Sequence, residues 1–202
     1  VSVFLRDLVV IVLAALVISF VVKSFAVQSF SIPSASMENT LMPGDRVVVC
    51  LLSPRLVPLQ RGDVVVFTDP GGWLAEAADG DHVIKRVIGL PGDTVACCNR
   101  QGRLTVDGVP VVEPYANVSP IDSKSDPDTF RVAVPPGKLW LMGDNRDDSR
   151  DSAYHVTAHD ASPFVPINDV VGKALVIDWP LTRWTVLGNY PTVFSRVERP
   201  VE

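Results

Sequence analysis

HVIKRVIGLPGDTVAC, residues 82–97, sets the texture of the chain. A β-branched run at 82–90 meets Pro91-Gly92-Asp93, and a second run follows at once at 94–97. Proline presets φ and glycine supplies a positive φ, so the segment reads as two strands joined by a tight reversal. The same pattern extends outward on both sides. Strand-like runs occupy residues 46–52, 63–68, 104–106, 109–112, 130–134, 138–142 and 169–179. They are punctuated by Pro43-Gly44-Asp45, Arg61-Gly62-Asp63, Asp107-Gly108 and Pro135-Pro136-Gly137. Asp107-Gly108 marks the clearest hairpin. Many short strands and few helical patterns predict a mainly β fold of antiparallel sheets, or a partly open β-barrel-like domain, with one N-terminal helix. Residues 69–81 and 113–128 read as polar insertions.

The 202 residues carry 18 Lys+Arg against 23 Asp+Glu, a net charge of -5, so no cation excess is available for phosphates and nucleic-acid binding is excluded. With 17 Pro and 13 Gly the chain does not suit a helical bundle. The mean hydropathy of +0.25 comes largely from one place. Residues 8–22 hold no charge, and the apolar character resumes after Lys23 as far as Val27. At about 1.5 Å per residue, residues 8–27 cross a hydrocarbon core of roughly 30 Å if Lys23 snorkels to the headgroups. We therefore read 1–27 as a transmembrane anchor and 28–202 as a β-rich domain. Two rivals stand beside it. One is a cleavable secretory signal, with Ser24-Phe25-Ala26 as a small-x-small site, and the other is a buried helix of a soluble protein. Arg6, Asp7 and Lys23 are too balanced to set orientation. Cys50, Cys97 and Cys98 supply neither a disulfide framework nor C-x-x-C spacing, and read as buried or idle thiols.

Three segments carry chemistry. In FSIPSASMENTL, residues 30–41, hydroxyls cluster just beyond the apolar stretch. A Ser/Pro-rich linker is the plain reading, but the Pro43-Gly44-Asp45 turn and strong strand that follow mark a structured corner. In HVIKRVIGL, strand alternation puts Lys85 between Val83 and Val87, and Arg86 between Ile84 and Ile88. An edge strand defended by two cations would look like this. So would a lysine held in an apolar site, where desolvation lowers its pKa until the amine can take a proton from a serine hydroxyl. The third segment is GDNRDDSRDS, residues 143–152. It fails as a calcium loop, because Arg146 falls at the third position, Ser149 where the turn glycine belongs, and His155 at the twelfth. An ion-pair and turn network supporting a neighbouring site fits better. His155 and His159 are spaced i, i+4 but lack the glutamate of a zinc-protease helix, so no metal site is expected. No G-x-S-x-G serine motif accompanies either histidine, which leaves lysine as the best candidate base.

Taken together and in this order, SIPSASMENTL after an apolar helix, HVIKRVIGLPGD and LMGDNRDDSRDS resemble the bacterial type I signal peptidases, membrane-bound serine endopeptidases of protein export. The resemblance runs from Phe30 to Ser152, with 170–179 similar to a closing strand. It implies Ser36 as nucleophile and Lys85 as general base. It further implies an oxyanion hole from the Ser34 hydroxyl and the Ser36 backbone N–H, with Ser149 orienting Lys85. Arg86, Asp144, Arg146 and Asp151 would form the supporting network. An extended substrate would add as a strand beside residues 30–33 and the 82–90 edge, against Phe30, Ile32 and Ile84. The implied partners are signal-peptide-bearing preproteins and membrane lipid, with export machinery nearby and no cofactor. The implied location is the cell membrane, single-pass, with the catalytic domain on the extracytoplasmic side. A dedicated or self-cleaving Ser-Lys protease and an inactive membrane-anchored β binding module are the alternatives. The chain departs from the family pattern at Ala153, where many relatives carry arginine, so Asp151 needs another partner: Arg86, Arg146 or Arg150. One membrane segment is visible, and the tail 192–202 is polar and adds no second.

Overall fold

The computed structural model describes residues 2–74, 81–117 and 130–197. Residues 75–80 and 118–128 of the two expected insertions, and the Lys23 side chain expected to snorkel, lie outside what is described. An apolar helix, α1 (Ser2–Ala26), runs directly into the first strand, β1 (Val27–Ser31), so Val27 belongs to the sheet. Its window Val3–Phe20 has mean hydropathy 2.5, and none of it is buried among the described residues. By length and composition it is long enough to cross a membrane.

The remaining strands are β2 (Arg46–Cys50), β3 (Val64–Thr68), β4 (His82–Gly89), β5 (Thr94–Cys97), β6 (Thr105–Val106) and β7 (Val109–Pro110). After them come β8 (Phe130–Ala133), β9 (Lys138–Met142), β10 (Val165–Pro166), β11 (Val170–Trp179) and β12 (Thr185–Val186). They form two antiparallel sheets. The larger has the order β1-β2-β11-β3-β4-β9-β10, with β12 on β11, and the smaller is β7-β6-β5-β8. Each strand expected from the sequence forms, some of them shorter by a residue or two at an end. β1, β10, β12 and a short helix, α2 (Ser152–Ala158), go beyond that expectation. β1 is polar and mostly exposed, and its pairing with β2 defines it. α2 is too short to show a period; the Asp151 side chain starts it by accepting the Ala153 and Tyr154 amides.

β3 explains why a continuous apolar run sits at the centre. Val64 and Val66 enter one core with Ile32, Met37, Leu41, Val47, Val49 and Ile84, while Val65 and Phe67 enter another with Val83, Val87, Leu139 and Leu141. Burial on both faces removes the alternation that a half-solvated strand would show. The larger sheet also curls. From β1 to β4 the order takes four strand steps, about 19 Å if the sheet were flat. Instead the Phe30 and His82 rings lie 5.2 Å apart, and Ile32 and Ile84 share one core. The result is a partly open barrel in which β1 and the start of β4 come together without pairing.

Two chain reversals are held closely. Gly62, at φ +87°, faces the Asn189 carbonyl with no room for a Cβ. Asp93 accepts the Leu90 amide and Arg61 Nε and Nη2, the latter two at 2.7 and 2.6 Å, in a buried pair where the two sheets join. Two expectations are corrected here. Cys97 and Cys98 are joined in a vicinal disulfide and are not idle thiols; an adjacent pair bridges no loop, so counting spacings misses it. Cys50 is free. The 192–197 part of the tail is not simply polar, since Phe194 and Val197 are buried in the core of the smaller sheet.

Candidate active site

β4 pairs with β3 from His82 to Arg86, while β9 covers it only from Arg86 to Gly89. On its β9 side the 82–90 run is therefore an edge only at residues 82–85; Lys85 ends that edge but is buried and Arg86 lies past it, so neither cation stands in solvent to defend it. Lys85 is 4% exposed and Arg86 fully buried.

The segment 32–45 folds over this place as a corner. Ile32 exchanges backbone hydrogen bonds with the Gly44-Asp45 turn, at 2.8 Å to the Asp45 carbonyl and 2.9 Å from the Gly44 amide. Met37 and Leu41 anchor the intervening turns in the core. Ser36 is thereby fixed between buried neighbours, and Lys85 Nζ donates to its Oγ at 2.6 Å. Ser34 is exposed, with its hydroxyl 3.4 Å from the Ser36 hydroxyl on the open side. Burial strips the Lys85 ammonium of hydration and lowers its pKa to about 8, although Asp151, Asp144 and Asp148 pull the other way. Near neutral pH the amine thus has an accessible neutral form, whose lone pair can accept the Ser36 proton.

Residues 143–152 support this pair from behind. Asn145 donates its backbone N–H to the Ser36 carbonyl and its side-chain amide to the Ala35 carbonyl, both at 3.2 Å. Arg86 makes a two-pronged ion pair with Asp144 at 2.8 and 2.6 Å, with both side chains fully buried. Burial works most strongly against the guanidinium charge, but the hydrogen bond and charge of Asp144, with Tyr115 and Tyr190, together raise the Arg86 pKa. Thr40 donates its hydroxyl to the same carboxylate. Arg146 donates to the Gly143 carbonyl at 2.9 Å and finds its carboxylate in Glu113, at 2.9 and 2.7 Å.

Asp151 makes no direct ion pair with any of the three arginines expected for it, although its charge acts on Arg146. Its carboxylate accepts the Gly143, Ala153 and Tyr154 amides, because capping α2 and holding the end of β9 already use its oxygens. Arg150 meets Asp160 instead, at 3.3 Å. The Ser149 hydroxyl, expected to orient Lys85, is buried and makes no hydrogen bond among the described residues. It lies against Gly143, where a Cβ would collide with Ser149 and with the Ser36 carbonyl. Gly143→Ala should therefore displace the Ser36 carbonyl and lower any turnover that depends on Ser36 by about 100-fold, while the substituted protein still melts cooperatively. A steady-state assay beside a thermal melt checks this; unchanged turnover would show that the contact is slack. His155 is buried with Nδ1 2.7 Å from Asp160, while His159 is an exposed left-handed cap of α2, so the two histidines do not face one site.

A family model for signal peptidase, peptidase S26, matches residues 5–179. The chain belongs to that family. Signal peptidase I of Mycobacterium tuberculosis is 36% identical over 180 residues, covering 71% of this chain and 60% of that protein. A probable signal peptidase I-1 of Synechocystis is 39% identical over 158 residues, covering 78% and 74%. A crystal structure of a signal peptidase I from Enterococcus faecalis is 32% identical, with TM-score 0.43 over 57% of this chain and 95% of that one. The chain thus spans about three fifths of the length of the mycobacterial relative.

Within the peptidase S26 fold, Glu113, Tyr115, Asn145 and Thr40 are site residues that motif reading passes over. Glu113 and Tyr115 sit in a stretch read as an insertion, where only their pairing with distant arginines reveals them. Asn145 lies within residues 143–152, and its residue type gives no sign of its part there, which is played through backbone carbonyls.

Proposed function

We propose that this chain is a membrane-anchored serine endopeptidase that removes N-terminal signal peptides from exported preproteins through a Ser36-Lys85 dyad. The observation that carries the proposal is the buried contact between Lys85 Nζ and Ser36 Oγ, a nucleophile and a base with lowered pKa in hydrogen-bond reach.

The segment up to Ala26 anchors the chain in lipid, and the part from Val27 onward forms the peptidase domain on the extracytoplasmic face, where exported precursors and their translocation machinery meet it. An extended precursor enters between β1 and residues 82–85, making backbone hydrogen bonds with the unpaired β4 edge. Phe30, Ile32 and Ile84 wall the pockets. Alternate side chains of the peptide point the same way, which couples the first and third residues before the cut. Ser36 Oγ attacks the carbonyl as Lys85 takes its proton. The Ser34 hydroxyl and the Ser36 N–H stabilise the oxyanion, and Lys85 returns the proton to the leaving amine. Water, activated by the same lysine, then hydrolyses the acyl-enzyme.

The test is cleavage of an exported precursor by detergent-solubilised protein, with Ser36→Ala as control and with Ala, Leu or Phe in turn at the first and third positions. Ala should be cut and Phe refused; equal cleavage of all three contradicts the pocket assignment. The pH dependence has a definite sign. Only neutral Lys85 accepts a proton, so kcat/KM should rise about tenfold per pH unit below 8 and level off above it. A profile flat from pH 6 to about 9 would exclude Lys85 as the base.

A further inference from the structure

Two arginines lie buried behind the dyad, and each needs a carboxylate. Asp144 serves Arg86, while Glu113 serves Arg146 from a different segment, with the Arg146 and Glu113 side chains 10% and 8% exposed. Tyr115 joins the two pairs. Its hydroxyl donates to Glu113 at 2.8 Å, and its ring lies 4.1 Å from the Arg86 guanidinium carbon. The backbone repeats the connection. Asn117 donates to the Asp144 carbonyl at 2.7 Å and accepts from the Arg146 amide at 3.0 Å. Residues 113–117 thus grip residues 143–146 by side chain and main chain. Residues 143–146 in turn hold the nucleophile's carbonyl through Asn145, and the Thr40 end of its loop through Asp144.

We infer that Glu113 and Tyr115 are positioning residues for the Ser36-Lys85 pair, acting through Arg146 and Arg86 on the loop that carries Asn145. Neither hydrogen-bonds Ser36 or Lys85 among the described residues, so their effect is on geometry. A displacement of about 1 Å at reacting atoms is enough for a 100-fold loss of rate. The kinetic part of this inference rests on the proposed peptidase activity; the structural part does not.

The experiment uses the full chain in detergent, with Glu113→Gln, Arg146→Gln, their double mutant and Tyr115→Phe. Precursor cleavage by wild type and Ser36→Ala is measured alongside. Glu113→Gln should lower kcat about tenfold with KM changed less than about twofold, and the double mutant should be no slower than the slower single mutant. Amide hydrogen exchange supplies a readout independent of cleavage. In Glu113→Gln, exchange at residues 143–146 should accelerate at least about tenfold while β3 keeps its protection. Tyr115→Phe keeps the ring, removes one bond to Glu113, and should show smaller changes of the same kind even if Glu113→Gln does not fold. Unchanged kcat with unchanged exchange at 143–146, multiplicative losses in the double mutant, or exchange rising equally in β3 would each overturn the inference. If wild type cleaves no precursor, the peptidase reading fails, and the exchange data alone decide whether residues 113–117 position the loop.

Discussion

Lys85→Ala is expected to reduce precursor cleavage by on the order of 10⁴-fold or more, and adding Ser36→Ala to it should cost little further. In the proposed mechanism the two groups, 2.6 Å apart, form one proton-transfer unit, so either loss disables the same step. Buried amine replaced by methyl leaves no unpaired charge, and the Lys85 variant should remain folded. Rates for both single mutants and the double mutant, each beside a thermal melt, decide the matter. Independent, multiplicative losses would mean that Lys85 and Ser36 serve different steps. Near-normal turnover by Lys85→Ala would remove the dyad altogether.

Asp144→Asn should act through stability. Arg86 is fully buried, and its guanidinium is satisfied by both Asp144 oxygens, the Gly62 carbonyl and the Tyr115 ring. Neutralising the carboxylate strands a buried cation, at a cost of about 3–5 kcal/mol. For a chain of this size that corresponds to a melting temperature lower by roughly 10 °C. The exposed Arg46-Asp178 pair is the internal control, since Asp178→Asn removes an ion pair of similar length in water and should leave the melt where it was. Equal melts for the two variants would show that Arg86 is solvated in practice and that the ion pair does not hold the site's rear wall.

The parts of the site that were legible share a physical property: each is a residue whose type is costly where the local pattern puts it. Lys85 and Arg86 interrupt an apolar strand, and a charge with apolar neighbours on its own face demands an explanation before any fold is known. Ser36 stands out less, because serine is cheap anywhere; the turn and strand after it show that its segment is structured. The illegible parts are those whose partners arrive from far along the chain. Asp151 was expected to need an arginine because charge was the only criterion available, yet the carboxylate is satisfied by three amides of a helix start and a strand end. Ser149 was expected to hydrogen-bond Lys85, and its hydroxyl is instead turned against Gly143.

By itself the sequence determined the strand periods, the turns that separate them, the apolar helix and the anomalous lysine. All of these are local: a turn's φ, a pleat's alternation or a hydrocarbon span is set by residues adjacent in the chain. Only the tertiary structure decided that the sheet curls until Phe30 meets His82, that β9 leaves residues 82–85 unpaired, and that Glu113 reaches Arg146. Sheet order and the choice of a buried ion's partner depend on which segments compete for the same space. That competition is settled by burying the β3 core on both faces at once, a condition that no stretch of the chain records on its own.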